Sequence, residues 1–393
     1  MEDYAPKKLT TESIYSVDNL LAALGISDED YSKIQALETK DRYTAISLYK
    51  KNGDKRVVYD PHPLIRKIQR RIKSRLFNQI KYPTYLFGSI SDPEFPRDYI
   101  SCAGRHCKAK TILKIDITSF FDNIEYDLVY KIFNGLFSYS DEVSESLAEI
   151  CTRDGVVPQG APTSSFIANL CFFDIEGGIV KGLERQGLIY TRLTDDITVS
   201  SITQDRDLKK AKDKIVAMIE NEGFRVNEDK TSIESLSTAA FKIHGLRIHN
   251  DTPQLPRDEI KKIRAAVHNI KTLSQKPNAR TSFQYRKLYE SISGRVNKLA
   301  RTKHPRYYKH RKDLKEIKPL PSQKDIKRCM VMLSTLNRDH ELFCSTPLYM
   351  KRYHRLRHRL ILLQRTYKHE AKKIWVILRD IKPTKNKAEH DLQ

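Results

Sequence analysis

The sequence predicts an α+β protein in two parts, with a mixed region ahead of residue 250 and a nearly all-helical one behind it. Three observations predict this. Strand-like runs bounded by turn residues occur at 43–60, 111–117 and 187–201. Beyond Pro253 and Pro256, apolar residues recur at spacings of three and four. Charge is also uneven: the 393 residues hold 71 Lys+Arg against 49 Asp+Glu, a net +22, and the segment from Arg301 onward has 25 basic and 9 acidic residues. That segment therefore holds most of the excess, which favours an acidic partner, nucleic acid before an anionic membrane.

Composition excludes several classes. The chain is long enough to bury a core without disulfide help. Its six cysteines (102, 107, 151, 171, 329, 344) are scattered, with no paired C-x-x-C spacing. His106 between Cys102 and Cys107 lacks the fourth ligand a zinc site needs. No apolar run approaches the length of a membrane span, and MEDYAPKKLTTES has no apolar signal core. The expectation is a reduced, cytoplasmic protein with no membrane partner.

Taken in order, residues 43–60 predict two strands around an Asn52-Gly53 turn, because both residues tolerate positive φ. Lys50, Lys51, Lys55 and Arg56 surround it. Pro61-His62-Pro63 then opens a helix with Leu64, Ile68, Ile72 and Leu76 on one face and Arg70, Arg71, Lys73 and Arg75 among the others. In TILKIDITSFFDNI, Leu113, Ile115 and Ile117 alternate with Lys114 and Asp116, a half-buried strand that presents a carboxylate near its end. GVVPQGAPTSSFIANL is a punctuated loop leading to a helix near Ser164, with Thr163 or Ser164 as its cap. GLIYTRLTDDITVSS reads as strand, tight turn, strand, with Asp195 and Asp196 at the turn.

Helices follow through Ile260, Ile263, Val267, Ile270 and Leu273, and through Tyr285, Leu288, Ile292, Val296 and Leu299. In the tail, Tyr353, Leu356, Leu360, Leu363, Tyr367, Ala371, Ile374 and Leu378 predict about thirty residues of amphipathic helix. Arg355, Arg357, Arg359, Lys368, Lys372 and Lys373 occupy its other face. That face suits a phosphate backbone, and the apolar stripe would also suit helical pairing with another chain.

An Asp-Asp turn alone is ordinary turn chemistry. One aspartate on a strand and two on a hairpin, however, can converge oxygens on hard divalent cations, which clamp a phosphoryl transfer. Gln159, in the loop between these segments, suits contact with a nucleotide and an ordinary connection equally well.

KKNGDKR, IDITSFFDNI, PQGAPTSS, TDDITVS, GFRVNEDKT and HGLRI, in that order, resemble the fingers and palm of reverse transcriptases over residues 42–250. A weaker thumb-like GRVNKL follows at 294–299. PQGAPTSS and the IQRRIKSRLF helix are most similar to the bacterial retron and antiphage-defence-associated (abortive-infection-like) group. The resemblance implies a right-hand polymerase. Its expected parts are an N-terminal segment and fingers at 1–110, a palm with interleaved finger elements at 111–250, a thumb at 251–310, and a basic helical extension at 311–393.

It also implies roles. Asp116, Asp195 and Asp196, with the Ile117 carbonyl, would hold two magnesium ions, with manganese as the alternative. Lys50 and Arg56 would reach the triphosphate, and Phe121 would be the gate that excludes a ribose 2′-hydroxyl. Gln159 would contact the nucleotide's sugar or base, and Lys230 would serve the departing pyrophosphate. Residues 243–248 would form the primer grip. His106, His244, Gly245, Arg355, Arg357 and Arg359 would contact nucleic acid.

Three positions depart from the group. Leu193 stands where the family has the Tyr of Tyr-x-Asp-Asp. Retrons usually show Asn-Ala-x-x-His ahead of the first aspartate, where this chain has Cys102-Ala103-Gly104-Arg105-His106. They also show Val-Thr-Gly at the primer grip, where it has Ile243-His244-Gly245. A sister group of defence reverse transcriptases fits as well. The expected activity is RNA-directed DNA synthesis on a dedicated structured noncoding RNA in antiphage defence. Template RNA, cDNA, dNTPs and an effector protein or second copy are the expected partners. The alternatives are untemplated, repetitive or protein-primed synthesis by the same fold, and a non-catalytic RNA-binding scaffold.

Overall fold

The structure is a computed structural model that describes residues 4–49, 53, 55–236 and 241–384. Contacts divide the chain into two compact units, Met1–Pro253 and Gln254–Gln393. Lys50 and Asn52, expected beside and within the first turn, lie outside the described residues.

The first unit is built on a mixed five-stranded sheet. Its strands in chain order are β1 (Lys7–Lys8), β2 (Tyr43–Tyr49), β3 (Lys55–Pro61), β4 (Ile80–Lys81), β5 (Leu86–Phe87), β6 (Thr111–Asp116), β7 (Ile189–Leu193), β8 (Asp196–Ser201), β9 (Ser232–Ser235), β10 (Lys242–Ile243) and β11 (Leu246–Arg247). The main sheet runs β5-β7-β8-β6-β9, with only the β5–β7 pair parallel. Leu113, Ile115, Ile197 and Val199 are all buried, because helices cover the face they share. Phe120, Phe172 and Phe224 form one aromatic cluster there, and Phe77, Phe133, Phe137 and Phe166 another. Such rings bury large apolar areas and fix the packing by their preferred mutual angles.

β2 and β3 form a separate hairpin in register from Tyr43↔Pro61 to Tyr49↔Lys55. Most of its side chains are exposed, so its position depends on anchors at the base. Tyr43 is buried and accepts from Gln69 Nε2 at 2.9 Å, while Tyr59 N donates to Gln159 O at 2.8 Å. Gln69 lies on the Pro63–Arg75 helix, where Pro63 suits the first turn and Ile65, Ile68 and Ile72 are buried.

Among the described residues of the second unit, six long helices carry the packing. Arg257–Ser274, Phe283–Arg301 and Arg306–Glu316 pack on one another through Ile263, Val267, Ile270, Tyr285, Ile292, Val296, Leu299 and Leu314. Leu288, expected on that stripe, is 41% exposed at its margin. Gln323–Phe343, Pro347–Leu363 and Lys368–Asp380 enclose a second core.

This second core corrects the single long tail helix. The chain turns at 364–367, where Arg365 Nη1 donates to Pro319 O at 2.8 Å. The stripe from Tyr353 to Leu378 is buried against Cys329, Leu333 and Leu336 of the same chain, so it is not left open for a partner helix. No helix among the described residues is long and apolar enough to cross a membrane.

Candidate active site

The two central strands bring the predicted carboxylates together. β6 and β8 pair with Asp116 opposite Asp196, and Leu193 opposite Asp196 closes a two-residue turn at Thr194-Asp195. Thr194 has φ +60, a left-handed conformation that costs a β-branched residue energy. Backbone bonds hold the cluster from both sides: Ile117 N donates to Asp195 O at 3.2 Å, and Asn227 N donates to Asp116 O at 2.8 Å. Gly88 has φ +90, a conformation that strains other residues, and a Cβ there would press on the turn at 3.1 Å from Thr194 Oγ1 and 3.2 Å from Leu193 Cδ1.

The charges are interdependent. Burial pushes the Asp195 carboxyl above its ordinary range, and the neighbouring Asp196 and Asp116 carboxylates push it the same way. Lys230 Nζ donates to Asp116 Oδ2 at 2.8 Å, and this bond raises the ammonium above its usual value. His244 Nδ1 lies 3.6 Å from Asp196 Oδ2. Burial alone would lower His244, but Asp196 and Cys102 bring it up to about 9.

Carboxylates crowded closely enough to raise the Asp195 carboxyl are short of positive charge, and an all-oxygen donor set fits a hard divalent cation. Among the described residues no three acidic, His or Cys side chains are already closed into a metal cage. Lys230 and His244 engage two of the three carboxylates instead. A pocket of about 210 Å³ beside them is lined by Lys114, Asp116, Asp196, Lys230, Lys242 and His244, among others.

The remaining expected nucleotide contacts lie in the same unit. Arg56 Nε donates to Gln159 Oε1 at 2.8 Å, tying the β2–β3 hairpin to the Pro158-Gln159-Gly160 loop. Gly160 has φ +112, and a Cβ there would meet Tyr59 O at 3.1 Å. Ser164 Oγ donates to Pro158 O at 2.6 Å. Thr163 occupies the cap position of the Ser164–Leu170 helix but makes no side-chain cap bond, which corrects the expected cap. Phe121 is half-buried on a short turn after β6 and packs against Phe120.

Other expected contacts are placed differently. His106 is fully buried, with Nδ1 2.7 Å from Ser200 Oγ and Nε2 2.7 Å from Thr191 Oγ1, and burial drives it down to about 3. It is a neutral internal brace, not a surface group that meets RNA. His244 and Gly245, with φ +47 and +78, form the turn between β10 and β11, so His244 is not a strand residue. Arg355, Arg357 and Arg359 belong to the second unit. The first two are exposed, and Arg357 lies 5.8 Å from the Trp375 ring centre.

Sequence reasoning missed Arg192, whose side chain has no exposure. Its guanidinium pairs with buried Glu176, Nε to Oε1 at 2.6 Å and Nη2 to Oε2 at 2.8 Å. It also donates to the carbonyls of Ala168, Asn169 and Thr194. One side chain thus ties the Asp-Asp turn to the helix behind the Gln159 loop. The available signal was a charged residue inside the apolar strand YTRLT.

Comparison with known proteins agrees with this geometry. Residues 48–273 match the family model described as reverse transcriptase (RNA-dependent DNA polymerase). The Retron Ec48 reverse transcriptase of Escherichia coli is 41% identical over 93% of this chain and 92% of its own length. The Retron Se72 reverse transcriptase of Salmonella heidelberg (strain 579083-10) is 33% identical over 81% of this chain and 84% of its own. Among solved structures, apo telomerase from Candida tropicalis aligns over 92% of this chain and 72% of that one, at 13% identity and a TM-score of 0.44, too low to carry an inference.

Proposed function

The chain is a member of the retron reverse transcriptase family, an RNA-directed DNA polymerase, and from that premise we propose that it copies a dedicated structured noncoding RNA into DNA in the cytoplasm, as part of antiphage defence. The in-register pairing of Asp116 with Asp196, beside Asp195, carries the catalytic reading. Reverse transcriptases use divalent metal ions. We assign magnesium to Asp116, Asp195, Asp196 and the Ile117 carbonyl, where bound cations would stabilise the charge on the attacking and leaving oxygens.

The remaining roles follow from chemistry. The primer 3′-hydroxyl attacks the α-phosphorus of a dNTP, a new P–O bond forms, and the bond to pyrophosphate breaks. Arg56, oriented by Gln159, and Lys50 would hold the triphosphate, and Gln159 would meet the sugar or base. Phe121 would crowd a 2′-hydroxyl. Lys230, more basic than usual beside Asp116, would neutralise or protonate the pyrophosphate. The β10–β11 hairpin, with His244 and Gly245 at its turn, would serve as primer grip. The helices after Arg257 would form a thumb and basic extension that takes the structured RNA, with Arg355, Arg357 and Arg359 on phosphates. An effector protein or a second copy would complete the defence complex.

Leu193 favours a second reading, untemplated or protein-primed synthesis, since an apolar side chain replaces the family's tyrosine ahead of the aspartates. Primer extension on a defined RNA template separates these readings. The Asp195→Ala, Asp196→Ala double variant is expected to lose all cDNA synthesis, and undiminished synthesis would refute the assignment. A product that does not match the template would transfer support to the second reading.

A further inference from the structure

Two of the departures from the retron pattern meet in space. Cys102 stands where the group has asparagine and His244 where it has threonine, 142 positions apart, yet Cys102 Sγ lies 3.4 Å from His244 Nε2. The opposite edge of the same imidazole faces Asp196. Cys102 is fully buried and also donates to Thr191 Oγ1 at 3.3 Å. Thr191 Oγ1 in turn lies 2.7 Å from His106, whose other nitrogen reaches Ser200. Thr191 and Ser200 sit on β7 and β8, the strands that carry the Asp-Asp turn. A polar chain therefore leaves the hairpin at Asp196 and returns to it through His244, Cys102 and His106.

Size supports a coupled exchange. Cysteine is shorter than asparagine and histidine longer than threonine, so the short thiol at 102 leaves room that the long imidazole at 244 fills. Either exchange alone would overfill the contact or leave it open, and both errors are costly at a buried polar site.

We infer that Cys102 and His244 are a matched positioning pair, in which the thiol aims the imidazole and the imidazole orients the Asp196 carboxylate for its metal. The helix Tyr99–Arg105 and the β10–β11 turn then act as one brace on the catalytic hairpin. In this pair both side chains act through Asp196, and the proposed primer grip rests on the backbone of the β10–β11 turn. The inference rests on the catalytic assignment of Asp196 made above.

A double-mutant cycle tests it with Cys102→Asn, His244→Thr and the pair together, in the full-length chain. Mn²⁺ affinity is read by electron paramagnetic resonance without nucleic acid, and kcat and dNTP KM by primer extension. Each single variant is expected to bind Mn²⁺ about tenfold more weakly and to lose kcat by a similar factor, with KM little changed, as outer-shell partners of a metal ligand do. The double variant, which restores the group's own pair, is expected to recover to within about threefold of the parent. Additive losses, or single variants with parental Mn²⁺ affinity, would overturn the pairing. Thermal unfolding checks each variant, and Cys102→Ala, which removes the thiol without adding bulk, repeats the cycle where Cys102→Asn does not fold. Asp196→Asn separates the two claims. Loss of Mn²⁺ binding and extension with an additive cycle overturns the pair alone, and retention of both overturns the carboxylate assignment beneath it.

Discussion

At the scale of single residues, Arg192 shows how a buried charge can serve a reaction it does not touch. Its donors reach Glu176 and the carbonyls of Ala168, Asn169 and Thr194, so the strained turn before Asp195 has a fixed support. Arg192→Met would leave the Glu176 carboxylate buried without its cation, only the Tyr190 hydroxyl still donating to it, and chemical denaturation is expected to show a loss of about 3–5 kcal/mol. Phe121 belongs to the same scale. If Phe121 is the proposed sugar gate, Phe121→Val opens space beside the sugar, and competition between dNTP and rNTP is expected to shift toward the ribonucleotide by about 10- to 100-fold. Neither the Arg192 network nor the burial of His106 was legible in the chain. Glu176 and Arg192 lie on different elements, and His106 reads like any polar residue near a helix end until Thr191 and Ser200 close around it. The aspartates were legible because strand alternation and a turn dipeptide place them without knowledge of the rest.

Elements were legible where period and punctuation agreed. β6, β7 and β8 follow the alternation of TILKID and the two-residue turn, and the sheet then buries what alternation puts on one face. The tail misled because Leu363, Tyr367 and Ala371 keep a spacing of four straight through a turn, so periodicity alone does not show the break. Tertiary contacts decide it: Arg365 bonds to Pro319 and the Gln323–Phe343 helix fills the gap. That helix begins with a capping box, Ser322 with Asp325, and Asp325 also pairs with Arg286 of Phe283–Arg301. Burial would raise the Asp325 carboxyl, but Arg286 and Ser322 hold it down at about 2. A carboxyl depressed in the folded state stabilises fully above its ordinary value of 3.8, and that stability is lost as pH falls toward 2. Asp325→Asn is expected to cost about 1.5–3 kcal/mol at neutral pH. In acid titrations of unfolding, the gap between the two proteins should close over that window.

For the whole molecule, net charge gives the broadest constraint. An excess of +22 concentrated in the helical C-terminal region suits a polyanion, and Arg355 and Arg357, exposed, with half-buried Arg359 are the proposed phosphate contacts on one helix. Neutralising all three to Gln is expected to lower the slope of log affinity against log salt by about 0.7–0.9 per lost contact, measured on the cognate RNA. An unchanged slope would place that helix away from RNA. Templated copying of one dedicated RNA is tested on protein purified from its native host. Bound RNA and DNA are extracted and sequenced separately, with nuclease controls, from the parent and from the Asp195→Ala, Asp196→Ala variant. One discrete structured RNA is expected in both, and DNA complementary to it in the parent alone. Repetitive DNA without a matching RNA, or the same DNA from the variant, would contradict it.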